Sequence, residues 1–219
     1  MKRLLFLLTV LLYTLDASAQ QQSRNLFEFN GGMDIQISPD EHKEFWNTGG
    51  GGAFSFNRYM SDRFALTASI SLNRFSIDRT KVEQYVSGEI PDSLDFLIDF
   101  LKITDGDVSV AAGRVGASYD FQLRGSNFEN TNEGKVFFYT RAAAGVAYNA
   151  INDLELQLLD QSESIAGASK TSLTVEGGGG FRFYLTNSLG LSLETTLVAN
   201  FLEGSTLVYL PIRLGVFFR

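Results

Sequence analysis

Apolar and polar residues alternate from Phe27 onward, and the alternation keeps returning as far as Phe218. In Phe27-Glu28-Phe29-Asn30-Gly31-Gly32-Met33-Asp34-Ile35-Gln36-Ile37 the odd positions are suited to hydrocarbon, while the even positions are small or polar. Successive side chains of a strand point to opposite faces, so this period gives one greasy and one wet face. The pattern recurs over 25–37, 49–59, 64–75, 108–123, 135–149, 170–185, 189–202 and 207–219. Each run reaches the roughly 9–11 residues with which a tilted strand crosses a bilayer. Lipid outside and a polar lumen inside give both faces a use. The expectation is an all-β, eight-stranded, antiparallel, up-and-down transmembrane β-barrel over residues 20–219.

The first nineteen residues are set apart from it. Met1-Lys2-Arg3, the apolar run Leu4 to Leu15 and Ala17-Ser18-Ala19 have the three regions of a secretory signal peptide. That apolar run is shorter than the roughly twenty residues of a spanning helix. Beyond residue 20 the greasiest segments are interrupted, as by Arg141 within Val136 to Tyr148, which argues against a helical membrane protein. The chain has no cysteine, so neither disulfides nor a lipidated thiol contribute. Without residues 1–19 it carries 16 basic and 24 acidic residues, a net charge of −8, which speaks against nucleic acid as a partner.

The connections alternate in length. Asp62-Arg63 and Thr186-Asn187-Ser188 read as tight turns and 124–134 as a longer one, whereas 38–48, 76–107 and 150–169 are long and 203–206 is short. Turns on one side and longer loops on the other are the outer-membrane pattern, with both termini in the periplasm. Within 76–107, Leu94, Leu97 and Leu101 stand at helical spacing beside Phe96 and Phe100, and predict a short amphipathic helix over 93–102. One repeat is visible: Phe56 to Thr67 lines up with Phe181 to Ser192, each a strand, a Ser/Thr-Asp/Asn turn and a strand.

Phase assigns the two faces. Glu28, Asp34, Arg114, Asp120, Arg141, Glu176, Arg182, Glu194 and Arg213 fall on the inner one. Five acids and four arginines in a narrow space suggest a network of paired charges, because buried charges survive when paired and arginine's fork engages carboxylates bidentately. An eight-stranded barrel is only just wide enough to be filled, which favours a plug over a path. On the outer face, Phe27, Phe29, Phe56, Phe64, Tyr119, Phe121, Phe138, Phe181, Phe183 and Phe218 gather at the expected periplasmic ends as an aromatic girdle. Phe75, Tyr148 and Phe201 are candidates for the opposite rim. Pro211 predicts a local irregularity in the last strand, and a change of phase near Ala112-Gly113 predicts a β-bulge.

The signal-like N-terminus, the turns Tyr59-Met60-Ser61-Asp62 and Tyr184-Leu185-Thr186-Asn187, and the ending Arg213-Leu214-Gly215-Val216-Phe217-Phe218-Arg219 together resemble the small OmpA/OmpX-type outer-membrane β-barrels, in particular the porin-family barrels of Bacteroidota. The resemblance spans 25–219. It implies localisation in a Gram-negative cell outer membrane and a C-terminal signal read by the barrel-insertion machinery. Arg219 after the final aromatic departs from that signal. Enzymes on such barrels, by the same resemblance, use His, Ser and acidic residues near the extracellular rim. Here the one histidine, His42, sits in Asp40-Glu41-His42-Lys43-Glu44, and Ser93 or Asp95 would have to be folded against it.

No catalytic site or cofactor emerges, and no metal site either. Asp105-Gly106-Asp107 lacks the spacing of a calcium loop, and Gly49 to Gly52 and Gly177 to Gly180 lie within strands rather than phosphate loops. The four loop segments carry charges of −2, −5, −4 and −1 in chain order. Such a surface is suited to a divalent cation or a basic protein partner, or simply to staying hydrated beside anionic glycolipid. The sequence therefore reads as a barrel with a structural or surface-interaction role carried by acidic extracellular loops. A narrow channel or small-ligand uptake barrel is the second reading, and a loop-based envelope enzyme the third.

Overall fold

The computed structural model describes residues 25–38, 47–78, 80–81, 101–124, 134–158 and 161–219; the segment read as a signal peptide, His42, Ser93 and Asp95 lie outside them. Among the described residues eleven strands are formed: β1 (Asn25–Ser38), β2 (Gly49–Tyr59), β3 (Phe64–Phe75), β4 (Leu101–Asp105), β5 (Val108–Arg124), β6 (Val136–Ile151), β7 (Leu154–Leu158), β8 (Gln161–Ile165), β9 (Ala168–Tyr184), β10 (Leu189–Leu202) and β11 (Ser205–Phe218). Eight of them close into a barrel in the order β1-β11-β10-β9-β6-β5-β3-β2, every pair antiparallel. Chain neighbours are sheet neighbours, and β1 meets β11 from Phe27↔Phe218 onward, so no edge is left in the wall. Closure is what satisfies every backbone group without water.

Both strand ends of the chain lie at one end of the barrel with the tight turns; this is the turn end, and the opposite one is the loop end. The two repeated turns are built alike. Met60 and Ser61 N–H donate to Phe64 O, and Phe64 N–H donates to Ser61 Oγ; Leu185 and Thr186 N–H donate to Leu189 O, and Leu189 N–H to Thr186 Oγ1. A hydroxyl that bonds the turning backbone is the physical content of the Ser/Thr signal.

At the loop end β4, β7 and β8 form a three-stranded sheet that the sequence reading took for loop. It continues the wall. The β4–β7 register (Asp105↔Leu154) runs on from β5–β6 (Val108↔Ile151), and the β7–β8 register (Leu154↔Ile165) from β6–β9 (Ile151↔Ala168). All three strands break at one height. There Gly106 adopts a positive φ of 91°, Asn152 N–H donates to Asp107 O, and Gly167 N–H donates to Asp153 Oδ1. Leu101 and Lys102, the end of the expected 93–102 helix, belong to β4, and residues 93–100 lie outside the described residues.

Two irregularities were expected. The β10–β11 ladder passes from Thr195↔Ile212 to Val198↔Tyr209 with no pair at Pro211, whose ring nitrogen has no proton to donate. The bulge near Ala112-Gly113 is absent: β5 keeps one register to β3 from Phe64↔Tyr119 to Phe75↔Val108. Val108, Val110 and Ala112 simply face inward, where the lumen itself turns apolar. Register shifts occur instead at Gln122/Arg124 and at Gln36/Ser38.

Candidate functional site

Strand parity sends one side chain of every two into the lumen, and all nine expected charges arrive there. Glu28, Asp34, Arg114, Asp120, Arg141, Glu176, Arg182, Glu194 and Arg213 are each buried to 7% exposure or less. They form a ladder of pairs along the barrel axis. Nearest the turn end, Arg182 reaches Glu28 at 3.1 Å and Asp120 at 3.0 Å, with its guanidinium 4.0 Å over the Tyr139 ring. The middle holds Arg141, 2.8 Å from both Glu194 and Glu176, and Arg114, 3.2 Å from Glu176. Toward the loop end Arg213 stands 3.6 Å from Asp34 and donates to Asn73 Oδ1 at 2.6 Å.

Neutral hydroxyls link these groups, as donors and as acceptors. Tyr59 OH donates to Asp120, Tyr139 OH donates to Glu194 at 2.6 Å, and Ser71, Thr174 and Tyr209 hydroxyls accept from Arg114. In a low-dielectric interior each unpaired charge would be costly, so Arg141 and Arg182, each between two carboxylates, with Arg114 and Arg213, each on one, are what keep five carboxylates buried. One glycine makes room for it. Gly180 faces inward between Tyr139 on β6 and Glu194 on β10, which meet across it. A Cβ there would collide with Leu193 O.

Apolar plugs close the lumen on both sides of the charges. Leu26, Tyr59, Ala65, Tyr184 and Phe217 pack at the turn end with Phe137, their rings meeting edge to face. At the loop end Phe75, Val108, Val110, Ala112, Ala147, Val198, Leu207 and Tyr209 form the second plug. The sequence reading missed these inward aromatics, and it placed Phe75 on the outer rim. Phe75 is 1% exposed and packs edge-on against Tyr209, because its odd number in β3 puts it in phase with Ser69, Ser71 and Asn73.

The outer face is a continuous apolar band. Ile70, Leu72, Val115, Leu173, Leu197 and Leu214 are among its exposed side chains, and charge enters the outward phase of β2 and β3 only at Arg58 and Arg74, near opposite ends. Phe27, Phe29, Phe64, Tyr119, Phe121, Phe181, Phe183 and Phe218 are exposed at the turn end, with Phe56 and Phe138 half-buried among them. Their rings touch in series: Phe29, Phe54, Phe27 and Phe56 on one arc, and Tyr119, Phe121, Phe138, Phe181 and Phe183 on another. At the loop end Tyr148 and Phe201 face outward.

Among the described residues no group of three or more metal-ligating side chains comes together. Asp107 instead accepts hydrogen bonds from Arg74 Nε and Ile77 N–H, which tie the β4–β5 break to the end of β3.

No family model and no curated protein matches this chain. Among solved structures it is similar to Neisserial surface protein A, with a TM-score of 0.54 and 12% identity over 90% of this chain and 97% of that one. It is also similar to Ail, the attachment invasion locus protein of Yersinia pestis (TM-score 0.47, 12% identity, 90% and 99% covered). A third is a major outer membrane protein from Thermus thermophilus (0.45, 11%, 89% and 98%). At these identities the likeness is one of fold, and the first comparison carries it. The chain has the closed, eight-stranded fold of small outer-membrane barrels.

Proposed function

We propose that this protein is an outer-membrane anchor: a sealed barrel that holds the β4–β7–β8 sheet and the acidic loops at the cell surface for interaction. The observation that carries this reading is the lumen, in which a paired charge network lies between two apolar clusters and the inward polar side chains, Asn149, Ser172 and Asn200 among them, are spent on one another. With transit disfavoured, the loop end is the part of the chain free to encode specificity. The apolar band and its aromatic ring at the turn end support insertion with that ring at the periplasmic interface. The barrel-insertion machinery would assemble it, and the turn and C-terminal motifs favour kinship with the Bacteroidota barrels. No catalytic role, cofactor or nucleic-acid partner is part of the proposal. A divalent cation or a basic protein surface is the kind of partner the loop charge suits.

Epitope insertion tests the placement. A tag between 158 and 161 should be labelled on intact cells, and a tag within 125–133 only after the outer membrane is permeabilised. Labelling of the second tag on intact cells, or recovery of the protein in the soluble periplasm, would contradict the reading.

A further inference from the structure

We infer that the loop-end mouth of the barrel is a dead-ended binding cup for an uncharged amphiphile of about eight carbons. A cavity of about 220 Å³ opens there above the second apolar plug. Its lining comes from the inward phase of the strands, where a water-facing mouth would ordinarily be polar. Here Phe75, Val108 and Leu207 form its floor and Ile151, Ala168 and Leu202 most of its walls, with the Asn149 amide set among them. Apolar cavities of this kind prefer apolar occupants to water: one of ~150 Å³ takes a benzene, so this one suits a chain of roughly eight carbons.

The floor is filled on both sides. Phe75 packs against Tyr209, whose hydroxyl is held by Asn73 and Arg114, and Asn149 is held by Ser172 and Asn200, so below the cup lies the charge network. A ligand therefore enters and leaves by the same mouth, which distinguishes binding from transport.

Charge decides the class of head group. Lys170 at the rim is engaged by Glu203 at 3.6 Å, and that pair is exposed and neutral overall. Below the cup lie five carboxylates against four arginines, and the loops around it are acidic, so an anion finds no net attraction. A cation would leave water for an apolar wall. Gln36, buried level with Tyr209, and Ser205 nearer the rim of the neighbouring strand present amide and hydroxyl groups suited to an alcohol, ester or amide head.

The test uses the full chain in phospholipid nanodiscs with labelled Ile, Leu and Val methyl groups, titrated with octan-1-ol. Methyl shifts of Val108, Ile151, Leu202 and Leu207 should saturate, while those of outward Leu66 and Leu214 change only linearly as the alcohol enters the bilayer. Octanoate and octylammonium should half-saturate at concentrations at least about 5-fold higher, as loss of a charged group's hydration requires. Leu207→Trp fills the floor and should weaken octan-1-ol at least 10-fold. Ala168→Phe, at an exposed rim position, should do the same should the first variant fail to insert. Absence of saturable shifts, or saturation unchanged by Ala168→Phe, overturns the site. Octanoate binding as well as the alcohol overturns the ligand class.

Discussion

Arg182→Met and Arg141→Met remove the same charge from the same lumen, yet the structure predicts unequal costs. Breaking a buried ion pair by removing one partner costs about 3–5 kcal/mol, because the surviving charge is left without compensation. Without Arg141, Glu194 keeps the Tyr139 hydroxyl at 2.6 Å and Glu176 keeps Arg114 at 3.2 Å. Without Arg182, Asp120 keeps the Tyr59 hydroxyl, but Glu28, fully buried, has no other hydrogen-bond partner among the described residues. Arg141→Met should therefore fall near the lower figure and Arg182→Met near the upper, a gap of about 2 kcal/mol, or roughly 30-fold in the folded-to-unfolded ratio. Glu28→Gln replaces the stranded carboxylate by a neutral amide, whose unsatisfied burial costs only about 1–3 kcal/mol, so it should recover about 2 kcal/mol in the Arg182→Met background and nothing beside Arg141→Met. Urea titrations of folding into lipid vesicles, read by the heat-modifiable gel band, measure all four proteins. Equal stability of the two single variants, or equal benefit from Glu28→Gln in both backgrounds, would refute the reasoning.

Gly180→Val should reduce the yield of folded barrel in the same gel assay by overpacking worth about 1–3 kcal/mol, whereas Gly177→Ala, with nothing within 4 Å of its Cβ, should fold normally. Replacing residues 80–104 by a short Gly/Ser turn should leave a heat-modifiable barrel, since the β5–β6 and β3–β5 ladders lie wholly within the wall, while removing whatever surface interaction the protein makes. Asp107→Ala should raise amide hydrogen exchange in 101–105 and 154–158 and leave the wall protected, because Asp107 ties the sheet's base to Arg74 and Ile77.

The wall was legible because period-2 alternation fixes both the strands and their phase. Six of the eight barrel strands start within one residue of the expected position, and the other two, at Ala168 and Ser205, begin two residues early. The same parity placed Glu28 to Arg213 inside. It went unread where composition was allowed to overrule it. Phe75, Tyr139, Tyr209 and Phe217 are aromatic and were not sought in a polar lumen, and the apolar Val108, Val110 and Ala112 were explained by a bulge that the register does not need. The partners within the lumen were not legible at all, because a contact such as Arg182 to Glu28 joins residues 154 apart and depends on shear around the closed wall. The β4–β7–β8 sheet was missed for another reason: Gly106 and the Asn152-Asp153 and Ala166-Gly167 steps interrupt the alternation, although the register continues through them.

The central claim is that the lumen is closed by its own side chains and the chain acts from its loop end. Planar-bilayer recording of the purified, heat-modifiable barrel tests it most directly. The account predicts no sustained conductance for the unaltered protein and none after residues 80–104 are replaced, because the plugs around Phe75 and Phe217 and the arginine network belong to the wall. A regular unitary current that recurs from one insertion to the next, and that changes when Arg141 or Arg182 is neutralised, would contradict it and make the lumen a path.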